Sequence, residues 1–223
     1  VNKVGVMGIL QPLGDGLKLL LKESSKLEKS NLFVYLFSPM MNFFLVVLLY
    51  VLLPYQTMMD KFNLAILFLL SILGINVFSI ILIGWSSNSS YTFLSAIRSV
   101  AQMVSYEISL MVLLLSLMVS VESFSMVVYD EVQKYMWLFS MYIMSSFILF
   151  IVFLAESNRI PFDFIEGESE LVSGFNIEYG SGYFVLIFLA EYAGILLLSF
   201  FLVLFFLGGD LFSLLFYVKL LFI

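Results

Sequence analysis

Long apolar runs separated by short polar segments dominate the pattern along the chain. Each run is too long for a buried strand, and none shows the alternation over roughly ten residues that marks a strand of an outer-membrane barrel. Because a backbone in lipid must satisfy its own hydrogen bonds, the runs are predicted to be helices, and a spanning helix needs about 20 residues. The predicted spans are 32–53, 62–84, 93–121, 135–155 and 183–207.

Composition supports a membrane protein, since 62% of the residues are hydrophobic and 12% are charged. Soluble domains are typically about 45–50% apolar and about 25% charged. The final apolar run, 211–223, is predicted to be the first part of a sixth span, so the chain is expected to be a fragment lacking both ends. The predicted fold class is all-α: a polytopic membrane helix bundle with five full spans, a partial sixth and an interfacial amphipathic helix.

The amphipathic helix is predicted over 9–22, where the polar residues share one helical stripe. Leucine and isoleucine occupy most of the remaining positions. The segment is too short to span, so it is expected to lie along the membrane surface. The polar stripe consists of Gln11, Asp15, Lys18 and Lys22.

Counting spans places 1–31, 85–92 and 156–182 on the same side of the membrane. Most Lys and Arg residues lie on that side, whereas Lys61 and Lys134 lie on the other. The positive-inside rule makes the first side the cytoplasmic face, or the matrix face in a mitochondrion. The three non-spanning segments are therefore expected to meet at one face.

An acidic loop, "AESNRIPFDFIEGESELVSGFNIEY", joins the fourth and fifth spans. A solvated face is one interpretation, but the interleaved apolar residues disfavour it. A divalent-cation site is a second, but no calcium-loop spacing occurs. Crowded carboxylates with raised proton affinity are a third, which accounts for both the charge and the apolar residues. The carboxylates are Glu156, Asp163, Glu166, Glu168, Glu170 and Glu178.

Glu107 and Glu191 lie inside predicted spans, where a charged side chain costs about 2.5–3.5 kcal/mol on insertion scales. Such residues usually face protein or water. A protonated packing role remains open for both, but a proton relay is favoured. The helical wheel turns Glu107 away from the polar stripe of its helix, so it needs a partner from another helix. Gly194 is predicted to let another helix approach Glu191 closely.

Two cations near the membrane each admit two interpretations. Arg98 is either an anchor near the headgroups or a functional residue, and the pattern favours neither. Lys219 is either a counter-charge for the buried acids or a snorkelling residue at the interface. The chain contains no Cys and no His. Thiolate, iron–sulfur and imidazole ligation are therefore excluded, and no metal site is expected in this chain.

Five segments resemble the family of NADH-ubiquinone oxidoreductase chain 1, the membrane subunit of respiratory complex I that abuts the hydrophilic arm. They occur in the family's order and cover almost the whole chain. The long acidic motif carries the resemblance most specifically. The segments are "GILQPLGDGLKLLLKE", "GWSSNSSY", "SAIRSVAQMVSYEISL", the acidic loop and "FLAEYAGIL".

The resemblance implies a core membrane subunit of a proton-pumping NADH:ubiquinone oxidoreductase. It would form part of the chamber that admits ubiquinone, its substrate, and would begin a carboxylate relay toward the proton pumps. The implied relay residues are Glu107, Glu156, Asp163, Glu166, Glu168, Glu170, Glu178 and Glu191; the implied chamber residues are Asp15, Arg98, Arg159, Phe162, Phe164 and Phe175.

The resemblance also implies where the remaining chemistry lies. Flavin and iron–sulfur clusters would belong to partner subunits. Expected partners are hydrophilic-arm subunits at the quinone site, neighbouring small membrane subunits and the lipid bilayer, but no nucleic acid. The expected location is the mitochondrial inner membrane, with the acidic loop facing the matrix, or a bacterial plasma membrane.

Other functions fit parts of the pattern. A secondary transporter would use buried acids for ion coupling, but its matching discontinuous helices in two halves are not visible. A membrane anchor would have no use for Glu107 and Glu191. A related subunit of a membrane-bound hydrogenase would share much of the pattern and is separated poorly by the residues alone.

Overall fold

A computed structural model describes residues 5–23, 30–53, 62–163, 174–208 and 214–223. Over these residues the secondary structure is helical, which confirms the predicted all-α class. Short 3-10 segments cover Gly5–Leu10 and Gly174–Asn176. The α-helices are α1 Gln11–Leu21, α2 Leu32–Tyr50, α3 Ala65–Ser86, α4 Ser90–Val121, α5 Met126–Gln133, α6 Leu138–Met141, α7 Ile143–Glu156, α8 Ser181–Phe206 and α9 Leu214–Phe222.

Four helices are long and apolar enough to cross a membrane, namely α2, α3, α4 and α8. The predicted 135–155 span corresponds to α6 and α7, which are separated at Tyr142, and α7 is a shorter apolar helix of 14 residues. The helix α9 occupies part of the predicted partial span. Whether α7 and α9 cross the bilayer stays a prediction.

Close packing of α3 against α4 depends on Gly84. A β-carbon there would lie 2.3 Å from the Ala96 Cβ and 3.1 Å from the Thr92 main-chain oxygen. The missing side chain therefore lets the two backbones approach, as small residues do between membrane helices. The larger apolar core is formed mainly by α3, α4 and α8. Its fully buried side chains include Leu69, Leu110 and Phe201.

One end of the bundle gathers segments that are distant in sequence. The Asn31 amide donates to the Ser86 carbonyl over 3.1 Å, which ties the start of α2 to the end of α3. Ser86 and Tyr179 share a 2.7 Å hydrogen bond between their hydroxyls. The described end of the acidic loop therefore lies beside the turn that joins α3 and α4. Which side of the membrane this end faces stays a prediction.

The helix α1 packs against α8, and none of its residues is buried. Its leucines remain largely exposed, with Leu13, Leu17 and Leu20 each more than half accessible. An exposed apolar face on an 11-residue helix is what an interfacial helix presents to lipid.

At the opposite end, side chains bind the last carbonyls of α8. Gln133 Nε2 donates to the Leu204 and Phe205 carbonyls over 2.8 and 3.1 Å. Lys219 donates to the Leu207 carbonyl, and its Nζ lies 4.7 Å from the centre of the Trp137 ring. Leu207 is about 24 Å along the helix direction from Glu191, at about 1.5 Å per residue. These contacts favour the interfacial interpretation of Lys219 over a counter-charge for the buried acids.

Candidate functional site

The end of the acidic loop is held to the bundle by aromatic contacts. The rings of Tyr35 and Tyr179 stack with centres 4.3 Å apart, and the Tyr35 hydroxyl donates to the Glu178 carbonyl over 2.8 Å. The Tyr179 hydroxyl also lies 3.2 Å from Ser38 Oγ. Burial raises the pKa of the Tyr179 phenol above its ordinary value, so the hydroxyl stays protonated at neutral pH.

The start of the same loop is held by Gln102 of α4. Its Nε2 donates to the Ala155 carbonyl over 2.8 Å and to the Phe162 carbonyl over 2.9 Å. The two acceptors flank the turn that follows α7. The Tyr106 ring, one helical turn further along α4, meets the Phe162 ring edge-on with centres 5.5 Å apart. Gln102 and Tyr106 together fix the position of residues 155–162 against α4.

Between these two attachments lies a first cavity, bordered by α2, α3, α4, α8 and the end of α7. Its water-accessible space is about 70 Å³. A single water needs roughly 10–15 Å³ on this measure, so several waters fit. Glu156 and Glu191 line it together with Asn42 and Asn76. The rest of the wall is mostly apolar, apart from Ser157 and Asn158.

Glu156 is 6% exposed, and its Oε2 has no hydrogen-bond partner among the described residues. Glu156 is the last residue of α7. It directly follows Ala155, whose carbonyl accepts a hydrogen bond from Gln102, and this bond fixes its position. A buried carboxyl oxygen with space beside it is ready to bind water or a proton.

The side chain of Glu107, on α4, lies against α3. A β-carbon at Gly74 would lie 2.7 Å from Glu107 Oε1, so the carboxyl group fills the space that the glycine leaves. Glu107 also lies within electrostatic range of Glu156. Glu107 was predicted to need a partner from another helix. The structure gives it two neighbours: the surface of Gly74 on α3 and the carboxyl group of Glu156 on α7.

A second cavity of about 100 Å³ adjoins the first on the loop side. Arg159, Asp163 and Tyr192 line it, and the Arg159 guanidinium carbon lies 5.1 Å from the centre of the Tyr192 ring. The two cavities share four lining residues: Ser157, Asn158, Phe175 and Glu191. A carboxyl group, Glu191, therefore borders both spaces.

The structure brings together part of the predicted site. Glu156, Asp163, Glu191, Arg159 and Phe175 line the cavities, and Glu107 lies close to Glu156. Phe162 contacts α4, and the Glu178 main chain binds Tyr35. Two predicted residues, Asp15 on α1 and Arg98 on α4, are exposed and line neither cavity. Glu166, Glu168, Glu170 and Phe164 lie outside the described residues.

Gly194 has a different environment from the predicted one. Within the described part of the chain, nothing lies within 4 Å of a β-carbon placed there. Instead of a closely packed helix, Gly194 borders the first cavity, three residues after Glu191. The absent side chain leaves room for that space.

Asn42, Asn76 and Ser79 were not among the predicted site residues, and the contacts of Gln102 were not predicted either. A signal for the asparagines was present, since each interrupts an apolar run inside a predicted span, in "MMNFF" and "GINVF". Polar residues within spans face protein or water far more often than lipid. Gln102 shares the polar stripe of its helix with Arg98, from which a position near the headgroups is expected, and the structure buries its side chain under the loop.

Comparison with known proteins adds family evidence to this geometry. The family model described as NADH dehydrogenase matches residues 1–223. A protein named NADH-ubiquinone oxidoreductase chain 1 from Aedes aegypti is 47% identical over 219 residues, covering 98% of this chain and 70% of the relative. The protein of the same name from Locusta migratoria is 49% identical over 223 residues, with the same coverage. That from Strongylocentrotus purpuratus is 44% identical over 208 residues, covering 93% of this chain and 65% of the relative.

Proposed function

This chain belongs to the family of NADH-ubiquinone oxidoreductase chain 1, a membrane subunit of NADH:ubiquinone oxidoreductase. We propose the following role for it in that enzyme. It forms part of the chamber through which ubiquinone enters, and it begins the carboxylate relay that couples quinone reduction to proton translocation. The observation that carries this proposal is the pair of adjoining cavities bordered by Glu191.

The proposed relay follows the acids from the loop into the bundle. Asp163 borders the outer cavity, Glu191 borders both, Glu156 borders the inner one, and Glu107 lies within electrostatic range of Glu156. Where two carboxyl groups interact strongly, a proton gained by one changes the proton affinity of the other. When a quinone takes up protons in the chamber, the charge near it changes. A row of such acids can transmit this electrostatic change into the membrane.

The proposed chamber lies on the loop side. The outer cavity combines a cation, Arg159, with the aromatic rings of Phe175, Phe188 and Tyr192. Ligand sites typically pair apolar and aromatic walls with a few placed polar groups, which suits a quinone head carrying an isoprenoid tail. Asp15 and Arg98 remain proposed contributors to the chamber entrance.

The partners follow from membership of the enzyme. We infer that the chain contacts hydrophilic-arm subunits at the quinone site and small membrane subunits beside it, while flavin and iron–sulfur clusters belong to partners. Its proposed location is the mitochondrial inner membrane, with the acidic loop facing the matrix. Photo-crosslinking with a quinone analogue tests the chamber: labelling within 156–182 is expected, and labelling confined to 122–134 would exclude it.

The relay is tested by Glu107→Gln, Glu156→Gln and Glu191→Gln in the full-length protein within the assembled complex. Glutamine keeps the shape and most hydrogen bonds but carries no proton. We expect normal complex content, with proton translocation, quinone-linked NADH oxidation or both strongly reduced. Measuring complex content, NADH oxidation and proton uptake in the same vesicles separates this from a packing role. Three variants that assemble, turn over and translocate like the parent would refute the relay.

A further inference from the structure

Three polar side chains meet halfway along α2 and α3, two helices that are otherwise mainly apolar. They are Asn42, Asn76 and Ser79, and both Asn42 and Ser79 are buried. The Ser79 hydroxyl lies 3.1 Å from Asn42 Oδ1 and 3.1 Å from Asn76 Oδ1. It lies 2.7 Å from the Asn76 main-chain oxygen.

The hydrogen-bonding groups of this cluster exceed what the cluster can satisfy internally. A serine hydroxyl has one proton to donate, whereas three acceptor oxygens surround Ser79. Each asparagine side chain also brings two N–H donors. Polar groups in a membrane interior need further partners, and water supplies them wherever there is space.

Space is present on the cavity side of the cluster. Asn42 and Asn76 both line the first cavity, whose water-accessible space of about 70 Å³ holds several waters. Glu156 and Glu191 line the same space. The Glu156 Oε2 atom, which is buried and without a hydrogen-bond partner among the described residues, independently points to an occupant that donates hydrogen bonds.

We propose that Asn42 and Asn76 form a water-binding site on the α2–α3 side of the first cavity, and that water held there relays protons between Glu191 and Glu156. Each water takes up one proton as it passes another on, so only O–H bonds form and break and no reactant is consumed. Ser79 positions the two amides and does not itself carry the proton. This inference rests on the proposed relay and names the groups that keep its inner cavity hydrated.

The test compares two double variants in the full-length protein within the assembled complex. Asn42→Leu with Asn76→Leu keeps similar volume but removes every polar group, so the site loses its water. Asn42→Ser with Asn76→Ser keeps polar groups and enlarges the space. We expect the leucine pair to lower the rate of proton translocation about tenfold or more, because a positioned proton transfer typically contributes roughly 10²–10⁴-fold. The serine pair should retain most of the rate.

A packing role predicts a different order of effects. Serine would then leave unfilled space and cost at least as much as leucine, so equal impairment of the two pairs overturns the proposal. Translocation at the parent rate in the leucine pair also overturns it. The single leucine variants carry the same comparison if the pair does not assemble, and failure of both singles to assemble identifies a packing role and overturns the water site.

Two further variants separate this inference from the relay itself. Ser71→Ala on α3 removes an exposed hydroxyl that binds the Phe68 carbonyl of the same helix, so it should leave translocation unchanged. Glu191→Gln reports on the relay. Impaired Glu191→Gln with a normal leucine pair overturns the water site alone, whereas a normal Glu191→Gln removes the relay on which it rests.

Discussion

Gln102→Leu removes the two hydrogen bonds that hold the start of the acidic loop to α4. Leucine is close to glutamine in volume and suits a buried position, so the packing of α4 should change little. The carbonyls of Ala155 and Phe162 lose the Nε2 donor at 2.8 and 2.9 Å. The Ala155 carbonyl keeps a 3.3 Å bond from the Asn158 amide, whereas no described residue gives the Phe162 carbonyl a comparable main-chain bond.

The size of the effect follows from these contacts. A buried hydrogen bond contributes about 0.5–1.5 kcal/mol net, so two contribute about 1–3 kcal/mol. That free energy corresponds to a roughly five- to 150-fold change in the ratio of held to released loop. The remaining bond at Ala155 places the expected value in the lower half of this range.

The functional consequence follows from what residues 155–162 carry. Glu156 faces the inner cavity, and Arg159 borders the outer one, so a released segment misplaces both. We expect normal complex content, a several-fold fall in the kcat of quinone-linked NADH oxidation and a raised KM for quinone. NADH oxidation by a water-soluble electron acceptor should stay at the parent rate, because that reaction bypasses the quinone chamber.

A second substitution makes the test specific. Gln102→Glu offers a donor only when its carboxyl is protonated, so its quinone-linked activity should recover toward the parent as pH falls, while Gln102→Leu should not recover. Ser116→Ala is the matched control on α4, since its exposed hydroxyl bonds the Leu113 carbonyl of the same helix. Parent-like kinetics in Gln102→Leu, or a pH profile shared by Gln102→Leu and Gln102→Glu, would refute the role assigned to Gln102.

Two glycine substitutions test the packing of α3 on α4 and should have opposite effects. In Gly84→Ala the new β-carbon meets Ala96 Cβ at 2.3 Å and backbone at 3.1 Å, so the helices must separate at about 1–3 kcal/mol and less complex should assemble. In Gly74→Ala it meets the flexible end of Glu107 at 2.7 Å, so assembly should be normal while proton translocation falls because the carboxyl moves. Immunoblots of native gels and vesicle pumping assays measure both; equal assembly of the two variants would contradict this account of Gly84.

The helices were predictable where length and hydropathy decide them. The run that became α8 must be helical in lipid, because nothing else satisfies its backbone. The separation of α6 from α7 at Tyr142 was not predictable, since the residues around it carry no charge, proline or glycine. Run length identifies an apolar segment but does not report where its backbone departs from helical geometry.

The candidate site divides in the same way. A charged side chain in the bilayer has a high free-energy cost, so an acid inside an apolar run is a candidate functional residue. Glu107 and Glu191 could therefore be selected from the sequence alone. Their surroundings could not, because the Gly74 surface that receives Glu107 belongs to a different helix. Asn42 and Asn76 carry no charge and are weaker signals individually; only the packing of α2 on α3 brings them to one cavity with Glu156.

The arrangement of walls between the two cavities has a consequence for coupling. Four residues line both spaces, namely Ser157, Asn158, Phe175 and Glu191. Phe175 is 3% exposed and packs with Tyr179 in the smaller apolar core, whose position the contacts of Tyr35 fix. Of the four shared residues, Glu191 is the one with a carboxyl group, so in the proposed relay it is the residue suited to exchange protons between the two cavities. Under the proposed relay, the charge on Glu191 would respond to events in the outer cavity and would act on Glu156 in the inner one, which is the property that a coupling element requires.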